Sequence, residues 1–128
     1  MKLDHNCVRS LLLRLEDDLS YGKNAAVSSI EIDGFTNEEI LYSSEKLIEA
    51  GYINGEAKIY TDSVIPYITI SSITFTGHQF LDNIRDDNVW KNTKNVLSSF
   101  SSVSLGLVSN VATQVITSII NHQLRFWC

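Results

Sequence analysis

The stretch TNEEILYSSEKLIEAGYI, residues 36–53, decides the fold, because it has the pattern of one capped amphipathic helix leading directly into a strand. Thr36 and Glu39 form a capping box, in which each side chain can satisfy a free backbone N–H of the other residue. Gly51 stands where a left-handed residue would end the helix. Four apolar residues follow the helical period and define the inward face of this central helix: Ile40, Leu41, Leu47 and Ile48.

The residues before the central helix predict a core helix and a short strand. A helix over residues 4–19 has Asp4 as its N-cap and one apolar face, formed by Val8, Leu11, Leu12, Leu15 and Leu19. Ile30 and Ile32 then alternate with acidic residues, which indicates a strand with one solvated face. Gly34 is expected to turn the chain into the central helix.

The residues after Gly51 predict a β-hairpin. Residues 56–60 and 67–73 should pair as its two strands. Because the apolar alternation that reaches Ile70 is displaced by one position at Ile73, we expect a β-bulge at the two intervening serines, Ser71 and Ser72. Helix, strand, helix and two-stranded wing together predict an α+β fold, an abbreviated winged-helix domain without the second helix of a helix-turn-helix.

A C-terminal helical arm should follow this domain. We place the domain at residues 1–86 and the arm at residues 87–128, with Thr74 or Thr76 capping the next helix and Asp86-Asp87 marking a restart. Residues 98–124 carry no fixed charge, but recurrent Ser, Thr, Asn and Gln argue against a membrane span. We expect a homo-oligomer, such as a homodimer, formed by the apolar face of the last helix: Leu105, Val108, Val111, Ala112, Val115, Ile116, Ile119 and Ile120.

The charge balance argues against general nucleic-acid binding. The formal net charge is −5, and all 15 acidic residues lie at or before Asp87. Binding to a phosphate backbone needs clustered Lys and Arg instead. With only two cysteines, Cys7 and Cys128, and no apolar stretch at the N-terminus, we expect a cytoplasmic protein without a disulfide framework.

The outer face of the central helix is the candidate partner-binding surface. Asn37, Tyr42, Ser43 and Lys46 could contact bases or phosphates, yet glutamates outnumber the single cation. This acidity favours a protein partner with a basic surface. The candidate binding residues are Glu38, Glu39, Tyr42, Glu45, Lys46 and Glu49, together with Lys58 and Tyr60 of the wing.

The sequence offers no support for enzymatic activity. It contains no phosphate-binding glycine loop, no Cys-x-x-Cys and no Gly-x-Ser-x-Gly motif. The three histidines are dispersed, and Asp82, Asp86 and Asp87 fit a solvated helix junction. We therefore expect no catalytic residues, no cofactor and no metal site.

Several motifs resemble a family of short, functionally uncharacterised proteins of bacteriophages and prophages. These are MKLDHNCVR (residues 1–9), EEILY (38–42) with LIEAGYI (47–53), ITFTGHQFLDNIRD (73–86) and VWK (89–91). The resemblance implies a winged-helix-like scaffold and expression in an infected or lysogenic bacterium, and it implies no catalytic residue. At Ser43-Ser44 many relatives are expected to carry a His and a large aliphatic residue.

Two functional hypotheses follow. The first is a non-enzymatic phage-type accessory protein that binds a host protein, such as a defence nuclease or regulator, through its acidic surface. The second is a small DNA-binding transcriptional regulator. The net charge and the acidic central helix favour the first.

Overall fold

The computed structural model describes residues 1–62 and 64–125; Ser63 and Cys128 lie outside the described residues. The fold is α+β, as predicted, with five α-helices and a small antiparallel sheet among these residues. The elements in chain order are α1 (His5–Asp18), β1 (Ala25–Ala26), a 3-10 turn (Val27–Ser29), α2 (Asn37–Glu49), β2 (Ile53–Lys58), β3 (Tyr67–Ile73), α3 (Phe75–Ile84), α4 (Asp87–Leu97) and α5 (Leu105–Arg125).

Contacts group the chain into two units, Met1–Gln79 and Phe80–Cys128. The boundary falls inside α3, whereas the sequence pattern places it after Asp86. Within the described ranges, none of the helices combines the length and apolarity needed to span a bilayer.

In the first unit α1 packs against α2, and both helices begin as predicted. The Asp4 carboxylate accepts hydrogen bonds from the Asn6 and Cys7 N–H groups. Thr36 and Glu39 form the capping box of α2. The apolar face predicted for the first helix is buried except at Leu19, which is half-buried, and Ile40 and Leu47 of α2 are also buried. Leu41 and Ile48 are half-buried.

The end of α2 is fixed by Gly51, which has a φ of 78°. The Tyr52 N–H donates to the Leu47 carbonyl at 2.9 Å, and the Gly51 N–H donates to the Ile48 carbonyl at 3.1 Å. These two bonds form a Schellman motif, which satisfies carbonyls that the helix end would leave unpaired. The prediction of a left-handed C′ glycine is confirmed.

The sheet has the order β1-β3-β2, and both pairs are antiparallel. Asn54 lies opposite Ser72 while Gly55 lies opposite Ile70, so Ser71 is the extra residue of a bulge. The Ser71 hydroxyl donates to the Asn54 carbonyl. The predicted bulge is confirmed, and the predicted pairing of the hairpin strands is confirmed with the first strand shifted from 56–60 to Ile53–Lys58.

The strand predicted at Ile30 and Ile32 is wrong. The strand before α2 is Ala25–Ala26, which pairs with Ile70 and Thr69 of β3. The chain then enters the 3-10 turn, where the Ile30 N–H donates to the Val27 carbonyl. Ile30 is buried because this turn directs it into the core, and the alternation with Glu31 reflects a buried turn residue rather than a β-strand.

The beginning of α3 is joined to the end of α2. The Thr74 hydroxyl accepts from the Gly77 N–H and donates to the Gly51 carbonyl, and the Thr74 N–H donates to the Tyr52 carbonyl. The sequence predicted either Thr74 or Thr76 as the cap of this helix, and the structure shows that Thr74 is the capping residue. Gly77 is buried here, and a Cβ at this position would lie 2.0 Å from the Tyr52 carbonyl oxygen.

In the second unit α4 packs against α5. Asp86 caps α4 by accepting from the Val89 N–H, which confirms the predicted restart. Ser104 caps α5 through a bond from the Leu107 N–H. The buried residues among the described part of this unit are Phe80, Leu81, Ile84, Val89, Trp90, Thr93, Val108 and Ala112.

Candidate protein-binding surface

The outer face of α2 carries most of the predicted binding residues. The fold positions them through the cap at the start of α2 and through the packing of the inner face of α2 against α1. Glu38 and Glu49 are exposed, while Glu39, Tyr42, Glu45 and Lys46 are half-buried. Glu38 and Glu39 lie in the first turn, where carboxylates are stabilised by the helix dipole. Glu39 already accepts the Thr36 N–H at 3.3 Å as part of the cap. The structure thus brings these six residues together on one helix.

The single cation of α2 is occupied within the helix. The Lys46 ammonium lies 2.8 Å from the Glu49 carboxylate and 5.4 Å from the centre of the Tyr42 ring. The hydrogen bond to Glu49 raises the pKa of Lys46, because it favours the charged ammonium. The surface offered to a ligand is therefore acidic at Glu38 and Glu45, and its cation is already paired.

Ser43 does not belong to this surface, so its predicted exposure is wrong. Ser43 is buried, three residues after Ile40 and four before Leu47, and it hydrogen-bonds with the Cys7 thiol of α1. Ser44 is also buried, and its hydroxyl donates to the Ile40 carbonyl at 2.8 Å. Two small hydroxyl residues thus occupy the inner face of α2, where the helical period alone would have placed them.

The wing residues lie at the end of the hairpin. Lys58 is the last residue of β2, whereas Tyr60 lies in the loop after it, with its ring 6.4 Å from that of Tyr67. The apolar character of this loop was not predicted, although its residue types indicate it. The exposed large side chains here are Ile59, Tyr60, Val64, Ile65 and Tyr67.

Two of the three carboxylates at the junction of α3 and α4 have structural roles. Asp82 pairs with Arg85, and Asp86 caps α4. Among residues 1–62 and 64–125, no group of three or more His, Cys, Asp or Glu side chains is arranged to hold a metal ion.

Comparison with known proteins identifies the family of the chain. A family model described as hypothetical protein (DUF2513) matches residues 2–104. The chain belongs to the DUF2513 family. An uncharacterized protein of Haemophilus influenzae is 33% identical over 124 residues, which cover 94% of this chain and 99% of that protein. No solved structure matches the chain.

The residues predicted for self-association lie on α5, entirely beyond the part that matches the family model. Val108 and Ala112 are buried within the chain, in the unit where α4 packs on α5. Leu105, Val111, Val115 and Ile116 are half-buried, and Ile119 and Ile120 are exposed. The exposed residues of this predicted set therefore lie in the last part of the helix, where Leu124 is also exposed; Leu107, near the start of the helix, is exposed too.

Proposed function

We propose that this chain acts by binding a protein with a basic surface through the outer face of α2. The observation that carries the proposal is the pairing of Lys46 with Glu49, which leaves Glu38 and Glu45 as carboxylates without an ion-pair partner among the described residues. Phosphates would be repelled by such a face, whereas Lys or Arg side chains of a protein would be attracted.

We further propose that the partner is a protein of the host bacterium, such as a defence nuclease or a regulator, and that the chain inhibits it in the cytoplasm as a phage-type accessory factor. The resemblance of several motifs to phage and prophage proteins supports this context, and a similar protein is found in a bacterium, Haemophilus influenzae. The order of α1, β1, α2 and the β2–β3 hairpin supports a winged-helix-type scaffold used here for proteins rather than for DNA.

The test compares capture of host proteins by the tagged wild-type chain and by the Glu38→Lys/Glu45→Lys variant. A charge-matched control, Asp17→Lys/Asp33→Lys, changes exposed carboxylates outside α2. We expect a host protein that is captured by wild type and control, is lost with the α2 variant and is released by salt. Equal capture by all three chains would contradict the proposal.

Binding of a short DNA duplex at low salt is the second arm of the test. We expect negligible binding by the wild-type chain. Tight binding whose affinity falls steeply with salt would overturn the proposal in favour of a DNA-binding regulator.

We also propose that copies of the chain associate through the last part of α5. The exposed Ile119 and Ile120, next to the half-buried Val115 and Ile116, support this because they form a continuous apolar stripe. Ile116→Glu/Ile120→Glu should reduce the solution mass measured by light scattering, while Thr113→Glu/Thr117→Glu on exposed polar positions should not. An unchanged mass in both variants would remove α5 from the interface.

A further inference from the structure

β2 lies at an edge of the sheet. It pairs with β3 on one side, and within the described residues no strand pairs with its other side. Asn54, Glu56, Ala57 and Lys58 are all exposed, as expected for an edge that is open to solvent. An uncovered edge presents backbone N–H and C=O groups that can pair with another strand.

The exposed end of β2 is complementary to itself. If two copies of β2 pair antiparallel with Ala57 on a two-fold axis, Glu56 of each copy lies opposite Lys58 of the other. Directly opposite residues share a face and can form cross-strand ion pairs. Among the described residues of its own chain, neither the Glu56 carboxylate nor the Lys58 ammonium has a hydrogen-bond or ion-pair partner, so both charged groups are available.

The same register provides an apolar contact on the other face of the sheet. It places Ile59, which is 76% exposed, opposite Gly55 of the second copy. Gly55 has no side chain, and a Cβ at this position would lie 3.1 Å from Cδ1 of Ile48 in α2, so Ile59 of the second copy would extend an apolar contact that Ile48 already makes. Moving the two-fold axis by one residue, from Ala57 to Glu56 or to Lys58, would place Glu56 opposite Glu56 or Lys58 opposite Lys58. Like charges therefore disfavour these two registers.

We propose that β2 is a self-association surface on which a second copy of this chain adds its own β2 antiparallel, with Ala57 on the two-fold axis. The two three-stranded sheets would then form one continuous sheet. This surface lies in the unit Met1–Gln79 and is separate from the interface proposed for α5. The β2 interface depends on backbone pairing and two ion pairs, whereas the interface proposed for α5 depends on the apolar face of a helix.

Charge exchange tests this register directly. Glu56→Lys places lysines opposite each other, and Lys58→Glu places glutamates opposite each other. The combined Glu56→Lys/Lys58→Glu chain restores both pairs. We expect each single variant to weaken self-association, measured by sedimentation equilibrium, by about tenfold, and the combined variant to return it to the wild-type value.

Mixing the two single variants separates this interface from any other. With one variant labelled with ¹⁵N, native mass spectrometry should show mixed dimers well above the statistical share of about half. The control mixture, Asp17→Lys with Lys23→Glu, carries the same net charges on exposed positions away from β2 and should remain near that share.

Three results would overturn the proposal. The first is a wild-type chain that remains monomeric at roughly 100 μM, a concentration at which a micromolar interface would be filled. The second is a dimer that neither single variant weakens, which would place the contact elsewhere. The third is a mixture of the single variants that stays at the statistical share.

Discussion

Gly77 is the position at which one added methyl group should damage the fold most clearly. A Cβ there would lie 2.0 Å from the Tyr52 carbonyl oxygen and 2.8 Å from Cγ2 of Ile73. Both distances are shorter than van der Waals contact, and the first atom belongs to the backbone. Gly77 does not have a positive φ, so the requirement for glycine comes from the close approach of the chain after α2.

The expected cost of Gly77→Ala can be estimated from these contacts. Overpacking of a well-filled site costs about 1–3 kcal/mol. Displacing the Tyr52 carbonyl also weakens its 3.0 Å hydrogen bond from the Thr74 N–H, which contributes about 1 kcal/mol. The better helix propensity of alanine offsets about 0.5–1 kcal/mol. The free energy of unfolding should therefore fall by about 2 kcal/mol.

Urea unfolding followed by far-UV circular dichroism measures this change. A loss of about 2 kcal/mol should lower the midpoint by roughly 1 M. Gly106→Ala in α5 is the matched control, because the nearest atom to its added Cβ is Ser104 Oγ at 3.9 Å. Gly106→Ala should leave the free energy of unfolding unchanged or raise it by up to about 1 kcal/mol. A Gly77→Ala midpoint equal to or above that of the wild type would refute the close approach of α3 to Tyr52.

Three further changes test the buried seam between α1 and α2. Leu47→Ala should lower stability by about 2–5 kcal/mol, and a thermal midpoint that barely moves would show that the register of α2 is wrong. Thr36→Ala should cost about 1 kcal/mol in urea unfolding and Thr36→Asp much less, while equal losses would contradict the capping role. Burial raises the pKa of the Cys7 thiol against the lowering effect of its hydrogen bond with Ser43. The contribution of the protonated thiol to the free energy of unfolding should therefore be fully present below the unfolded thiol pKa of about 8.5, and it should be lost as the pH rises toward the folded pKa. The free energy of unfolding should fall more steeply with pH in the wild type than in Cys7→Ala, and parallel declines would contradict this.

The elements that the sequence predicted well are those fixed by local chemistry. The capping box, the left-handed Gly51 and the one-position displacement that marks the bulge at Ser71 each depend on a few neighbouring residues. The central helix and the hairpin pairing could therefore be predicted without knowledge of distant contacts.

The errors arose where tertiary contacts decide the structure. Ile30 alternates like a strand residue, yet β3 pairs with Ala25 and Ala26, which carry no strong β signal of their own. Ser43 looks like a surface residue by type, although the helical period places it on the inner face of α2, where its hydrogen bond with the Cys7 thiol of α1 satisfies it. Polarity was a poor guide at this position because small hydroxyl side chains can be buried when they are hydrogen-bonded.

The fold itself determines which carboxylates of α2 remain for a partner. Glu39 is used in the cap and Glu49 in the pair with Lys46, so Glu38 and Glu45 are the acidic side chains with free capacity. They are seven residues apart, two turns on one face, which separates them by about 10 Å along the axis. A basic helix with cations at positions i and i+7 presents the same spacing. The proposed partner surface should therefore carry two cations about 10 Å apart, a requirement that a phosphate backbone cannot meet.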